Sequence, residues 1–289
     1  MRATKKTKAL KVLFATSEIA PWVKTGGLAD VSSALPPALV AAGCDVRILV
    51  PAYPPIRAAF PKPLRRIPIP KLAPALPACQ ILEAESSEGL RFWLLDAPAF
   101  FDRPGSPYND SAGHDWADNV WRFGLLSRIA AWLAESGSVT GWQADILHCN
   151  DWHTALAPAY QRYLGERTRS VLTVHNMAFH GLYPAACLNE LGLPPYAFSY
   201  DGVEFYGKLS FLKGGLQSAT RITTVSPTYA CEIQTKAFGA GLDGLLRFRA
   251  DRLNGILNGI DQTVWNPAID PLISHQYDAK SLDNKALGT

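Results

Sequence analysis

The distribution of apolar and polar residues along the chain predicts buried strands connected by helices. Lys11 to Ser17 is an apolar run with polar residues only at its ends, as is typical of a parallel strand covered on both faces. Leu28 to Ala42 has a helical pattern that ends at Gly43, and Pro36-Pro37 should kink or interrupt it. Asp45 to Val50 follows as a second strand, which completes a strand–helix–strand unit.

The same alternation recurs in the second half of the chain. Asp118 to Ser136 is predicted to be a helix, because its apolar residues recur every three or four positions. Three strand–helix pairs follow, namely 144–149 with 154–164, 170–174 with 184–191, and 221–225 with 227–235. A further helix over 207–218 and a short final strand over 253–257 are also predicted. This order predicts an α/β fold, a Rossmann-like parallel sheet with helices on both faces.

The region between these halves has weaker patterns. Pro51 to Pro77 is dense in proline and is predicted to form irregular connections. Gln80 to Ala84 and Leu90 to Asp96 are predicted strands joined by a hairpin turn. A loop rich in glycine, proline, asparagine and serine extends from Phe101 to Asp115, and a helix start is predicted at Lys280 to Lys285.

The composition restricts the class of protein. The 289 residues allow one large or two modest domains. Charged residues make up 18%, below the roughly 25% of typical soluble domains, which suggests that a partner domain covers part of the surface. The net charge of +3 comes from a basic tail within residues 1–11, so no nucleic-acid partner is expected. No apolar run approaches the ~18 residues of a membrane span, so we expect a soluble, cytoplasmic protein without a membrane partner.

Polar residues follow the predicted strands at the end where ligands of parallel sheets bind, because helix N-termini and their free N–H groups meet there. These segments are Lys24 to Asp30, Asn150 to His153, His175-Asn176, Ser226-Pro227 and Asn258 to Asp261.

Each segment has a structural and a functional interpretation. Gly26-Gly27 could form only a tight turn, or could let the backbone approach a phosphate beside the positive charge of Lys24. In the structural interpretation, Asp30 simply complements a helix dipole, and Asp151 with His153 simply caps a helix starting at Thr154. In the functional interpretation, these residues bind the ligand. The turn is neither a GxGxxG fingerprint nor a P-loop.

Metal and hydrolase chemistry receive little support. The histidines at 148, 153, 175 and 180 belong to no HExxH motif and have no companion cysteine pair, so no metal is expected. No G-x-S-x-G motif occurs, and Ser226 precedes a proline that removes a potential oxyanion-hole N–H.

Eight motifs carry a resemblance to a known family. They are KTGGLADV (24–31), DRPGSPY (102–108), DNVWRF (118–123), NDWHTALAPAY (150–160), TVHNMAFHG (173–181), SFLKGGLQSA (210–219), TTVSPTYACEI (223–233) and ILNGIDQTVWNP (256–267). From Val12 to Asp278 the chain closely resembles the bacterial glycogen synthases and plant starch synthases that use ADP-glucose.

The resemblance implies the N-terminal half of a GT-B glycosyltransferase, in which two Rossmann-like domains face each other across a cleft. The expected reaction transfers glucose from ADP-glucose to the non-reducing end of an α-1,4-glucan with retention, by front-face displacement and without a cofactor. The expected organisation is a basic tail over 1–11, the N-terminal catalytic domain over 12–270, and over 271–289 the start of a linker to an absent C-terminal domain.

The resemblance also implies roles for individual residues. His175 is the expected catalytic residue, contacting the donor glucose near the reacting carbon with support from Asn176. The other expected substrate-binding residues are Lys24, Gly26 and Gly27 at the donor phosphates, Asp30 at sugar hydroxyls, Tyr108, Asp151 and His153 on the acceptor side, and Asn258 at the cleft floor. Two alternatives remain at this point, a non-catalytic glucan-binding fragment and a GT-B enzyme that uses UDP-glucose.

Overall fold

The computed structural model describes residues 8–262, 264–282 and 285, which divide into two units between Leu257 and Asn258. The described strands are β1 (Lys11–Ala15), β2 (Asp45–Pro51), β3 (Arg65–Ile69), β4 (Cys79–Glu85), β5 (Arg91–Asp96), β6 (Ile146–Asn150), β7 (Arg169–Val174), β8 (Leu182–Pro184), β9 (Glu204–Phe205), β10 (Lys208–Ser210), β11 (Arg221–Thr224) and β12 (Leu253–Gly255). The described α-helices are α1 (Gly27–Ala41), α2 (Pro54–Ala59), α3 (Pro98–Phe101), α4 (Asn119–Glu135), α5 (Gly137–Thr140), α6 (Trp152–Leu164), α7 (Cys187–Glu190), α8 (Phe211–Ser218), α9 (Pro227–Glu232) and α10 (Asp243–Phe248).

A mixed sheet organises the first unit, with its strands in the order β12-β11-β7-β6-β1-β2-β5-β4-β3. Every neighbouring pair from β12 to β5 is parallel, whereas β4 is antiparallel to both β5 and β3. The predicted Rossmann-like α/β architecture is therefore confirmed, with an antiparallel extension at one edge. The predicted hairpin is the β4–β5 pair of that extension.

The central strand β1 lies between β2 and β6, and its Leu13, Phe14 and Ala15 have no exposed surface. Chain order runs outward in opposite directions from β1, towards β2 on one side and β6 on the other. This reversal leaves a crevice beyond the carboxyl ends of β1 and β6, where open α/β sheets bind their ligands.

Close packing of helices behind the sheet depends on glycine at one position. α6 packs against α4 and α8. A Cβ atom on Gly215 of α8 would lie 2.4 Å from the Ala155 carbonyl oxygen of α6. The glycine therefore allows these two helices to approach at backbone distance, which fixes the start of α6 relative to β6.

Several predicted elements were wrong. The region 51–77 is not merely irregular: it contains α2 and β3, and β3 buries Ile67 and Ile69 while it pairs with β4 as an edge strand that tolerates Pro68. α1 continues through Pro36-Pro37, because burial of its Leu28, Ala29 and Pro36 offsets the two missing backbone donors.

Two predicted helices were too long. Within 184–191 only α7 is helical, and within 207–218 helix α8 starts at Phe211. The residues preceding each helix instead form β8 and β10, which pair with each other, and β10 also pairs with β9 in a small antiparallel sheet. The pairing of β10 with β8, which is distant in sequence, outweighed the helical pattern of these residues.

The second unit comprises the described residues from Asn258 onward, where turns and an isolated bridge between Asp278 and Ser281 occur. The helix start predicted at 280–285 falls partly on residues 283 and 284, which lie outside the described part of the chain. None of the helices in the described residues is long and apolar enough to cross a membrane.

Candidate active site

Glu18, three residues after β1, is the main anchor at the carboxyl edge of the sheet. Only 3% of its surface is exposed. One carboxylate oxygen accepts a hydrogen bond from the Thr25 backbone N–H at 2.6 Å, and the other accepts from the Thr25 hydroxyl at 2.6 Å and from the Tyr108 hydroxyl. A buried carboxylate thus ties the turn before α1 to the loop before α4.

The turn held by Glu18 presents its glycines to open space. A Cβ atom built on Gly26 or Gly27 meets nothing within 4 Å. Gly26 has an extended φ of −160°, so its conformation does not require glycine either. Neither internal packing nor backbone geometry therefore accounts for the glycines, which leaves close approach of a ligand or partner as the reason for them.

Lys24 pairs with Asp30 across this turn, with 2.7 Å between the Lys24 Nζ and an Asp30 carboxylate oxygen. Both side chains are about half exposed (48% and 46%). An exposed pair of this kind contributes about 0–1 kcal/mol, so Lys24 can exchange it for a phosphate at little cost. Asp30 lies in the first turn of α1, where the helix dipole also favours its charge.

Tyr108 connects the 101–115 loop to the anchor. Its hydroxyl contacts the Ser17 hydroxyl at 2.8 Å as well as Glu18, and its ring stacks on the His153 imidazole at 4.4 Å. The fully buried guanidinium of Arg122 holds this loop by donating to the Phe100 and Pro107 carbonyls, each at 2.8 Å. Tyr108 is therefore fixed before any ligand arrives.

Asp151 directly follows β6 in a strained backbone conformation. Its φ of 58° is unusual for a residue other than glycine and costs roughly 1–3 kcal/mol. Its Oδ1 is buried without a hydrogen-bond partner, and burial raises the pKa of the side chain to about 7, which nearby backbone N–H groups oppose only in part. Strain together with an unsatisfied carboxyl oxygen is typical of a functional position.

The capping interpretation of Asp151 and His153 is contradicted by the start of α6. Asp151 occupies the N-cap position but makes no capping hydrogen bond. The Thr154 hydroxyl instead accepts from the Asn150 N–H at 2.6 Å. His153 lies buried between the rings of Tyr108 and Trp152, and burial lowers its pKa well below the usual value, so its imidazole is neutral.

His175, immediately after β7, is held in one orientation by Asn150. The Asn150 side-chain amide donates to the Ala15 carbonyl at 3.1 Å, so its Oδ1 accepts from the His175 Nε2–H at 3.2 Å. This leaves Nδ1 of His175 as an acceptor. Burial lowers the pKa of His175 to about 4, so the ring is neutral near pH 7.

Comparison with known proteins identifies the family of this domain. Residues 11–248 match the model of the starch synthase catalytic domain. The chain belongs to the starch synthase catalytic domain family.

Curated relatives agree with this assignment. The glycogen synthase of Dechloromonas aromatica is 55% identical over 96% of this chain, and that of Aromatoleum aromaticum is 52% identical over 99%. The chain spans 57% and 58% of the length of those two proteins. The solved catalytic domain of starch synthase IV from Arabidopsis thaliana, bound to ADP and acarbose, matches with a TM-score of 0.77 at 30% identity. That match covers 96% of this chain and 57% of the solved chain.

In this starch synthase domain, most of the residues predicted for the site lie at one edge of the sheet. Lys24, Gly26, Gly27 and Asp30 form the turn and first helical turn after β1, Tyr108 and His153 stack together, and Asp151, His175 and Asn176 follow β6 and β7. Asn176 fixes its own loop by accepting from the Ala178 N–H at 2.9 Å. Asn258 belongs to the second unit.

Sequence reasoning missed Glu18, and it placed Asn150 at the ligand edge without giving it a role. Glu18 lies three residues after β1 and Asn150 ends β6, and that position at the ligand edge was the signal that could have identified their roles. Their side chains hold the Lys24 turn and His175 respectively, which makes them positioning residues. Within the described residues, no three His, Cys, Asp or Glu side chains are grouped closely enough to bind a metal ion.

The raised pKa of Asp151 predicts that the difference in unfolding free energy between the parent chain and Asp151→Asn depends on pH. An unfolded aspartate has a pKa of about 3.9, so folding favours the protonated form, and the stability this contributes at acid pH is lost as pH rises through about 7. Between about pH 5 and pH 8, Asp151→Asn should gain roughly 2–3 kcal/mol of unfolding free energy relative to the parent chain. Urea unfolding at both pH values measures this, and a constant difference would show that Asp151 titrates normally.

Proposed function

We propose that this chain is the N-terminal, acceptor-facing domain of a glycogen synthase. The complete enzyme transfers glucose from ADP-glucose to the 4-hydroxyl at the non-reducing end of an α-1,4-glucan, with retention of configuration. The C1–O bond to the diphosphate breaks while a C1–O bond to the acceptor hydroxyl forms on the same face of the sugar. The diphosphate leaves with the bonding electron pair and takes up the proton of the acceptor hydroxyl.

The observation that carries the proposal is the open Gly26-Gly27 turn beside Lys24 at the switch point of the sheet. Its backbone is free of internal contacts that would explain two glycines, and it lies at the start of helix α1. A helix N-terminus and a lysine together suit the phosphates of a sugar nucleotide. Family membership supports the choice of a nucleotide-sugar donor over other phosphate ligands.

The neighbouring residues supply the remaining functions in this proposal. His175 offers the donor glucose an uncharged acceptor at Nδ1, because Asn150 holds the Nε2–H. Asp151 is proposed to bind sugar hydroxyls through its carboxyl group, one oxygen of which is buried without an internal hydrogen-bond partner. Tyr108 and His153 form a rigid stacked wall on the acceptor side. The buried histidines carry no charge, so cationic stabilisation of the leaving diphosphate falls to Lys24 and to residues outside this chain.

Transfer of labelled glucose from ADP-glucose into glycogen tests the proposal. The assay compares the chain extended by its downstream coding sequence with residues 1–289 alone, and it runs ADP-glucose and UDP-glucose in parallel. We expect incorporation by the extended protein and preference for ADP-glucose. Incorporation from UDP-glucose alone would contradict the proposed donor, and glycogen binding without incorporation would identify a non-catalytic glucan-binding protein.

A further inference from the structure

A second cleft lies at the opposite, amino edge of the sheet. It has a volume of about 570 Å³ and is lined by residues that precede β1, β6 and β7, together with the end of α4. The five-residue strand β6 separates this edge from the candidate active site by about 16 Å. A cleft of this size falls within the range of small-molecule sites, roughly 300–1,000 Å³.

Three exposed cationic side chains line the amino-edge cleft, those of Lys8, Arg167 and Arg169. Two of them stand out among the arginines that the structure describes. Apart from Arg66, Arg167 and Arg169, each described arginine has a carboxylate or carbonyl oxygen within 4 Å of its guanidinium. Two of the three exceptions therefore line the same cleft.

The acidic residues near these arginines accept hydrogen bonds from backbone N–H groups or pair with another arginine. A Glu135 carboxylate oxygen accepts from the backbone N–H groups of Arg167, at 2.7 Å, and Thr168. The Asp145 carboxylate accepts from the Lys11 N–H at 2.9 Å, and Glu166 pairs with Arg128 at 2.9 Å. The guanidinium donors of the cleft consequently remain available to an external anion.

We propose that the amino-edge cleft binds a small phosphate-bearing metabolite, with Arg167 and Arg169 as its main ligands. Guanidinium groups bind phosphate oxygens through paired, charge-assisted hydrogen bonds, and Lys8 adds a third positive charge. The remaining cleft volume accommodates a sugar-sized group next to the phosphate. The basic tail, with Arg2, Lys5 and Lys6, precedes Lys8 in the chain and adds further positive charge to the segment.

A competing physical explanation exists for the arginines. Helices α4 and α6 end at Glu135 and Leu164, close in sequence to the cleft residues, and the negative ends of helix dipoles stabilise nearby cations. Under that explanation the arginines contribute to stability and bind no ligand. Replacing both arginines distinguishes the two explanations, because ligand affinity and the free energy of unfolding of the variant are measured separately.

Isothermal titration of the 289-residue chain with glucose 1-phosphate, inorganic phosphate and glucose, at low ionic strength, tests the proposal. We expect binding of glucose 1-phosphate that weakens with added KCl, no binding of glucose, and at least a tenfold loss of affinity (about 1.4 kcal/mol) in the Arg167→Gln/Arg169→Gln variant. The control Lys62→Gln/Arg66→Gln removes two exposed cations elsewhere and should bind normally. Equal affinity for inorganic phosphate would support the site and limit recognition to the phosphate group.

Three results would overturn the proposal. One is the absence of glucose 1-phosphate binding to the parent chain. Another is unchanged affinity for glucose 1-phosphate in the double arginine variant. If that variant also has a lower free energy of unfolding, the arginines serve to stabilise the helix ends. The third is loss of binding in Lys24→Gln alone, which would place the ligand at the carboxyl edge of the sheet instead.

Discussion

In the proposed full-length glycogen synthase, Glu18→Gln is expected to lower kcat/KM for ADP-glucose at least about a hundredfold. Rate losses of this size are typical when active-site groups are misplaced or an electrostatic contact is removed. The carboxylate accepts hydrogen bonds from the Thr25 N–H, the Thr25 hydroxyl and the Tyr108 hydroxyl, and it is buried. Glutamine replaces one acceptor oxygen with an NH₂ donor, so buried donors face each other. Each donor left without an acceptor costs roughly 1–3 kcal/mol. The Lys24 turn and Tyr108 should then lose their common anchor.

Separate kcat and KM values show whether Glu18 acts by positioning the donor site. We expect KM for ADP-glucose to rise more than kcat falls, with far-UV circular dichroism unchanged. Tyr108→Phe removes one of the donors and should give a smaller loss, about tenfold. Glu88→Gln, in the exposed β4–β5 turn, is the matched control and should behave as the parent enzyme. Parent-like kinetics for Glu18→Gln would contradict the anchoring role.

His175→Ala is expected to lower kcat of the full-length enzyme by about 10²–10⁴-fold, because the ring is proposed to contact the sugar at the reacting carbon. Since burial lowers the pKa of His175 to about 4, its neutral form persists across the working pH range. The parent enzyme should therefore show no fall in kcat/KM attributable to this histidine between about pH 5.5 and pH 8.

The control for His175 is His114→Ala, whose side chain is 81% exposed on the loop before α4. It should leave kcat unchanged. A His175→Ala enzyme with kcat within about threefold of the parent value would remove the catalytic assignment. Asn150→Ala should reproduce part of the loss, because Asn150 accepts from the Nε2–H and so keeps Nδ1 as the acceptor.

The sequence was sufficient for the main sheet but not for its edges. β1 and β2 are short, mainly apolar runs, which are recognisable without tertiary information because such strands are buried on both faces. β6, β7 and β11 could be predicted from their alternation with helices. β3 was missed because three prolines surround or interrupt it and its pairing with β4 depends on a partner distant in sequence. β10 was predicted as helix for the same reason, since its pairing with the distant strand β8 decided its conformation.

The candidate site was only partly predictable from the sequence. Lys24, Gly26 and Gly27 could be recognised as a phosphate-compatible turn, because glycines let the backbone approach a ligand and a lysine adds positive charge beside a helix N-terminus. The role of Glu18 depends on contacts with Thr25 and with Tyr108, which is 90 positions away along the chain. Likewise, the sequence shows Asp151 but not its strained φ, which the fold sets, or its raised pKa, which burial in the folded protein causes.

Gly26 and Gly27 are proposed to leave room for a sugar nucleotide and not to serve the fold. Kinetics and unfolding of Gly26→Ala and Gly27→Ala in the full-length enzyme test this claim most directly, with Gly244→Ala on exposed helix α10 as the control. We expect unfolding free energies within about 1 kcal/mol of the parent and a KM for ADP-glucose raised at least about tenfold in the two turn variants. Parent-like KM and kcat values in both turn variants would contradict the claim.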